Sequence, residues 1–278
     1  MAQIQAPSPP PTRLSAGATT DSPFGPLAMS GFGNPFFYHQ FADDFDNQLG
    51  ATGLYTLSGT GSAAHTAGDG GLALLSTTGT AGTFASIQLP AASFLLPSTG
   101  ATPPGSSTQV KKVFYLTRFR LSDITLSAFV AGLSAIDTTP FTAVLDGIWF
   151  SKAASSTQIN LNIAASSGNS PTGSAVSAVV AIPTSVYTLV NATDIDLGFF
   201  VDIHQNIYAY AGNPIVGYIP QSARPAGAGA GAVASLQQSA TATPFSTALM
   251  SPILAVSNGA TAAVKTMSAD FHLVQKER

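Results

Sequence analysis

One nine-residue stretch, Val113–Leu121 (VFYLTRFRL), limits the fold more than any other. Val113, Tyr115, Thr117, Phe119 and Leu121 fall on one face of an extended chain, and Phe114, Leu116, Arg118 and Arg120 on the other. Such alternation gives a strand with one buried face and one that turns polar. Gln158–Ala164 (QINLNIA) repeats the pattern, with Ile159, Leu161 and Ile163 opposite Asn160 and Asn162. Ile195–Ile203 (IDLGFFVDI) is apolar on both faces in its middle, as a central sandwich strand would be. No stretch reads as a long amphipathic helix.

Turn chemistry separates these runs. Asn206–Ile219 reads as two short strands about Gly212-Asn213, and Ala248–Val256 with Ala262–Val274 as a second hairpin about Asn258-Gly259. In Leu145–Phe150 (LDGIWF), Asp146 is either an acid in an aromatic pocket or a turn. A strand running straight through would put the Asp146 carboxylate on the face of Ile148 and Phe150, which is costly if unpaired. A turn at Asp146-Gly147 is therefore expected, with Leu145 across from Ile148 and Ala143 across from Phe150. Trp149, the chain's single tryptophan, then sits on the other face, under a loop or against a neighbouring subunit. Loops rich in Gly, Ser, Thr and Pro occupy 97–109, 166–175 and 221–244. Many short strands between turn signals predict an all-β, antiparallel β-sandwich over residues 36–278. Residues 1–35 carry seven prolines, which bars a helix and disfavours a central strand. They are either a disordered tail or an extended arm that orders on a neighbour.

Charge is scarce. Only 8% of the 278 residues are charged against 45% hydrophobic, where about 25% charged is ordinary. A surface so poor in charge is expected to be covered by a partner or by further copies of the chain. The formal net charge of −3 gives no footprint for nucleic acid or an anionic membrane. No apolar run approaches the roughly 20 residues that span a bilayer. With no cysteine, disulfides and thiolate metal sites are excluded. The N-terminus lacks the apolar core of a secretory signal, so synthesis in a cytosol is expected.

Catalytic patterns are equally sparse. Glycosidases on sandwich scaffolds usually need two facing carboxylates, yet the one glutamate in the chain is Glu277, the penultimate residue. The aspartate clusters are Asp43, Asp44 and Asp46, and Asp194 with Asp196. Two carboxylates at i and i+2 on a strand share a face and can co-ligate an ion, but the solvated start of a strand is the simpler reading. No Gly-x-Ser-x-Gly elbow occurs, and His39, His65, His204 and His272 are too scattered for a metal. Gly59–Ala64 loosely matches a dinucleotide fingerprint but lacks the helix that must follow it. These absences predict a protein that is not an enzyme, with no cofactor, no metal and no catalytic residue.

Gly68–Thr80 (GDGGLALLSTTGT), then KKVFYLTRFRLSD, FVAGLSAIDTTPF and DGIWFSK, and the closing LMSPILAVSNGATAAVKTMSADFHLVQKER, together resemble virion proteins of tailed bacteriophages. Those proteins carry a concanavalin-like jelly roll. The resemblance covers roughly residues 37–278 and implies a structural virion protein, most like a capsid decoration (cement) protein on the capsid exterior. Its partners would be the major capsid protein and copies of itself, as a dimer or trimer. Pro9, Pro10, Pro11, Arg13, Leu14, Phe24 and Phe32 would be the contacts of the arm. The alternative is a glycan- or receptor-binding virion module, which needs aromatics converging on a face. Trp149, Tyr208 and Tyr210, with Tyr218, are the candidates.

Overall fold

In a computed structural model of the chain, the described residues are 38–45, 53–66, 71–95, 112–142, 146–165, 176–202, 206–212, 215–219 and 248–277. The proline-rich segment 1–35 and the loop 221–244 lie outside them. Sixteen strands follow in chain order: β1 (Tyr38–Asp43), β2 (Thr56–Gly59), β3 (Ser62–Thr66), β4 (Leu72–Ser76), β5 (Phe84–Gln88), β6 (Phe94–Leu95), β7 (Val113–Leu121) and β8 (Ala128–Ser134), then β9 (Gly147–Lys152), β10 (Ile159–Ala165), β11 (Val176–Ile182), β12 (Ile195–Val201), β13 (Ile207–Ala211), β14 (Ile215–Ile219), β15 (Leu249–Ser257) and β16 (Thr266–Glu277). Among the described residues there is no helix.

The strands form two antiparallel sheets of eight. Sheet A runs β14-β13-β12-β7-β16-β4-β3, with β1 also on β16; sheet B runs β11-β10-β9-β8-β15-β5-β2, with β6 on β15. This is the expected β-sandwich. Alternation decides what each sheet buries. Val113, Tyr115, Phe119 and Leu121 of β7 point inward with Leu197 and Phe199 of β12. They meet Phe129, Leu133, Ile148, Phe150 and Leu161 of sheet B. Phe119 contacts Phe129 edge-on at 5.0 Å between ring centroids, and Tyr115 stacks on Phe199 at 5.1 Å.

β7, β10 and β12 fall where the alternation puts them, and β13 and β14 form the expected hairpin about Gly212, whose φ is +64°. Two turn expectations are corrected. β15 and β16 are not a hairpin: β15 lies in sheet B and β16 in sheet A. Eight residues cross between them, held by Asn258. Its Oδ1 accepts from the Thr83 backbone N–H at 3.0 Å, and its Nδ2 lies 2.8–3.2 Å from the carbonyl oxygens of Thr78, Thr80 and Ala263. Asn-Gly here is a sheet-crossing corner, because the side chain satisfies backbone groups that a tight hairpin would pair by itself.

The second correction concerns Asp146-Gly147. β9 begins at Gly147, and Ile148 pairs with Leu133 of β8 and Ile163 of β10. Phe150 likewise pairs with Ala131 and Leu161. The two residues are thus the entry to a central strand; the Asp146 carbonyl accepts from the Ala135 N–H at 2.8 Å. Glycine is required by close approach: a Cβ on Gly147 would lie 2.0 Å from the Leu133 carbonyl oxygen. Ile148 and Phe150 do face inward and Trp149 outward, as the alternation implied.

Asn258→Ala should destabilise the fold by roughly 3 kcal/mol, since several buried backbone groups lose their partner at once. Urea unfolding monitored by tryptophan fluorescence checks this; an unchanged midpoint would show that the corner holds without its side chain.

Candidate functional site

The outward faces of the two sheets differ. On sheet B the centre is apolar and covered: Val130, Trp149, Ala164, Ile253 and Ala255 cluster, with Phe141 of the β8–β9 loop against them. Trp149 is only 8% exposed. Opposite it on β8 sits Gly132, where any Cβ would come within 2.5 Å of the Trp149 Cα. Gln88 ties the loop down. Its Nε2 donates to the Ser134 and Ala135 carbonyls at 3.3 and 3.1 Å, and its Oε1 accepts from Asp137 N–H at 2.9 Å. Trp149 is therefore under a loop.

On sheet A the outward residues of four strands fall into a register row. Tyr208 of β13 pairs with Phe200 of β12, Phe200 with Phe114 of β7, and Phe114 with Gln275 of β16. Tyr218 of β14 continues the backbone row beyond Tyr208. Phe114 and Phe200 stack at 4.5 Å with planes 19° apart, and Phe200 and Tyr208 at 5.9 Å and 20°. Tyr210 joins the same cluster. Phe114 and Tyr210 are buried at the base, while Phe200 and Tyr208 are half-buried and offered outward. The Tyr208 hydroxyl donates to Asp202 at 3.2 Å. At the other end Gln275 is 2% exposed, and its Nε2 has no acceptor. A buried donor without a partner is costly and calls for an explanation.

The aromatic candidates thus separate. Tyr208 and Tyr210 share a face, and Trp149 lies on the opposite side of the sandwich. Phe114, Phe200 and Gln275, which sequence reading left out, complete the row. The signal available was the pairing of apolar residues on the supposedly polar faces of two central strands. Pro9, Pro10, Pro11, Arg13, Leu14, Phe24 and Phe32 lie outside the described residues.

Asp194 and Asp196 each meet an arginine. Asp196 takes Arg118 bidentately, Nε to Oδ1 at 2.6 Å and Nη2 to Oδ2 at 3.2 Å. Asp194 takes Arg120 by Nε and Nη2, which holds its carboxyl below the usual range. Asp43 accepts from the Phe45 N–H at 3.0 Å, and Asp46 is outside the described residues. Among the described residues no group of three or more acidic or histidine side chains is arranged around a metal position.

Inside the sandwich, the Tyr115 hydroxyl lies 2.9 Å from His272 Nε2. Such a couple looks like a proton-transfer pair, but both residues are sealed between the sheets. Burial pushes the imidazole down to about 3 and the phenol well above its ordinary value. At neutral pH each is held uncharged. Burial also pushes Lys152, at the end of β9, down to about 8; its ammonium donates to the carbonyls of Ser127 and Ala153. Both are packing features, because no substrate reaches them.

No protein-family model and no curated protein matches the sequence. Among solved structures the chain is similar to an endo-β-1,4-glucuronan lyase from the fungus Trichoderma reesei, at 9% identity over 84% of this chain and 94% of that one, with a TM-score of 0.54. It is similar to the carbohydrate recognition domain of Emp47p at 10% identity, over 87% and 97% of the two chains, TM-score 0.50. A module of the Dit protein of Lactobacillus casei BL23 phage J-1 aligns at 10% identity over 87% and 96%, TM-score 0.48. At such identities the likeness is one of fold, and the fold is a concanavalin-like jelly roll. These neighbours are carbohydrate-binding or glycan-active proteins. The expectation that the chain is not an enzyme is corrected here: this sandwich is shared nearly end to end with a polysaccharide lyase. Missing glutamates argue against one carboxylate-pair mechanism and do not remove the fold from enzymes.

The buried imidazole has a consequence for acid stability. The unfolded chain takes up this proton near pH 6.5, the folded chain only near 3. Between those values the unfolded state binds more protons, so stability should fall as pH drops, by at most about 1.4 kcal/mol per pH unit. His272→Gln should flatten the fall between pH 6.5 and 5 in urea titrations. An identical slope in the variant would assign the fall to another group.

Proposed function

We propose that the chain binds a glycan across the outer face of sheet A, as a recognition module of a phage particle. The observation that carries this is the register row Tyr208–Phe200–Phe114–Gln275. Its rings lie nearly parallel along the row, side by side across the strands. A ligand lying the same way meets the half-buried rings of Phe200 and Tyr208, with the Tyr208 hydroxyl at one end. Apolar ring surface with a few convergent polar groups is what sugar sites use. Gln275 ends the row as a buried residue, so its unpaired amide donor lies beneath the face and not on it. The kinship in fold with a lyase and a carbohydrate recognition domain supports the same reading.

A second reading, decoration of a phage capsid exterior, draws on composition. A surface this poor in charge is suited to being covered by protein. It gives residues 1–35 the role of an arm on the major capsid protein or on a sister copy within a dimer or trimer.

Titration calorimetry against a panel of soluble polysaccharides should detect binding that Phe200→Ala and Tyr208→Ala each weaken at least 10-fold with unfolding midpoints near wild type. Trp149→Ala, on the other sheet, should leave the affinity of the folded protein unchanged. Full affinity in a Phe200→Ala/Tyr208→Ala double variant would overturn the glycan reading. For the second reading, deleting residues 1–35 should lower capsid occupancy in a sedimentation assay. Equal occupancy and equal particle stability would remove the arm from the interface.

A further inference from the structure

Resting on the glycan reading above, we infer that the ligand of the sheet A face is a neutral glycan and not a uronic-acid polymer. The charges of that face carry this. Among the described residues its cations are Lys112, Arg118 and Arg120, in phase with Phe114 along β7. Its carboxylates are Asp194, Asp196, Asp202, Asp270 and Glu277.

Each guanidinium is already engaged. Arg118 and Asp196 are direct cross-strand partners, and both carboxylate oxygens are used in a forked pair. A β-bulge between Ala269 and Phe271 sets Asp270 beside the same arginine, at 3.7 Å from Nη1. The Phe271 ring covers it, with the guanidinium carbon 5.6 Å from the centroid. Arg120 is forked onto Asp194. Lys112, just before β7, lies beside Glu277, whose Oε2 accepts from the Lys112 backbone N–H at 3.5 Å, and its ammonium is in no ion pair among the described residues.

Recognition of a sugar carboxylate asks for a free planar fork or a free ammonium near the ring-binding surface. Here the forks are filled from within the protein, and five carboxylates stand against three cations. The resulting field opposes an anionic polymer, and among these cations only the Lys112 ammonium is left to offset the repulsion. What the row does offer suits hydroxyl-bearing rings: aromatic edges and the Tyr208 hydroxyl. Asp202 is oriented for this by its own bonds, accepting from the Asn206 backbone and side-chain N–H groups at 2.8 Å each.

The test compares two oligosaccharide probes on the full chain: neutral β-1,4-glucan oligomers, and glucuronan oligomers with the same linkage and length. The neutral probe should bind with an affinity that hardly changes between 20 and 150 mM salt. The uronate probe should bind at least 10-fold more weakly. Asp194→Asn, at a solvent-exposed pair, releases Arg120 and should raise the ratio of uronate to neutral affinity several-fold. Asp270→Asn should move the ratio the same way by lifting one carboxylate from Arg118. Tighter binding of the uronate probe, weakening with salt, would overturn the inference while leaving the glycan reading standing. So would an unchanged ratio in both variants. Binding of neither probe, nor of any polysaccharide in the panel, would overturn the glycan reading and this inference with it.

Discussion

The contact of Phe119 with Phe129 joins the two sheets at the middle of the sandwich. Each ring belongs to a strand whose alternate residues must then point away from the interior. Fixing one residue's direction on β7 fixes all nine. Tyr115 is committed inward to Phe199 and His272, and Phe114, Leu116, Arg118 and Arg120 are committed outward. Register with β12 carries the commitment sideways: Phe200 follows Phe114, and Asp196 follows Arg118. The aromatic row and the arginine–aspartate pairs on the outer face are thus consequences of interior packing.

Crossings between the sheets supply the second layer of control. Asn258 pins the β15–β16 crossing to the residues that enter β5. At the same end, Lys265 donates to Asp123 at 2.7 Å, and Asp123 also accepts from the backbone N–H groups of Thr125 and Leu126. The β2–β3 crossing is glycine-rich for a related reason: Cβ atoms on Gly59 and Gly61 would each lie 2.3 Å from a carbonyl oxygen of another strand. The glycines of the loose dinucleotide fingerprint are there for close approach to neighbouring strands.

What the sequence made legible follows from these two layers. Strand interiors were readable, because alternation over seven to nine residues leaves little choice of face; β7, β10 and β12 are examples. Connections were not. Asn258-Gly259 and Asp146-Gly147 are both strong turn signals, yet one is a crossing and the other a strand entry. A dipeptide reports backbone freedom or closeness, not which sheet the next strand joins. β16 shows a subtler failure. Continuing the phase of Met267 and Ala269 would bury Phe271 and Leu273 and expose His272. The extra residue at Asp270 reverses that phase, so His272 and Val274 go inward and Phe271 covers Arg118. Nothing local marks a bulge of this kind without glycine.

The same reversal separates the two kinds of chemistry that the chain displays. Had β16 kept its phase, His272 would stand outside beside Arg118 and the aromatic row, where an imidazole could meet a ligand. Instead it lies against Tyr115 in the interior, stripped of its proton by burial, and Gln275 takes the outward place beside Phe114. A single inserted residue exchanges a titratable side chain for a buried amide on the outer side of the sheet. The surface left behind is aromatic and hydrogen-bonding, with its arginines spent on its own acids. As the site of the proposed glycan, such a face favours ring shape and hydroxyl pattern and repels added negative charge, because its guanidiniums are already paired.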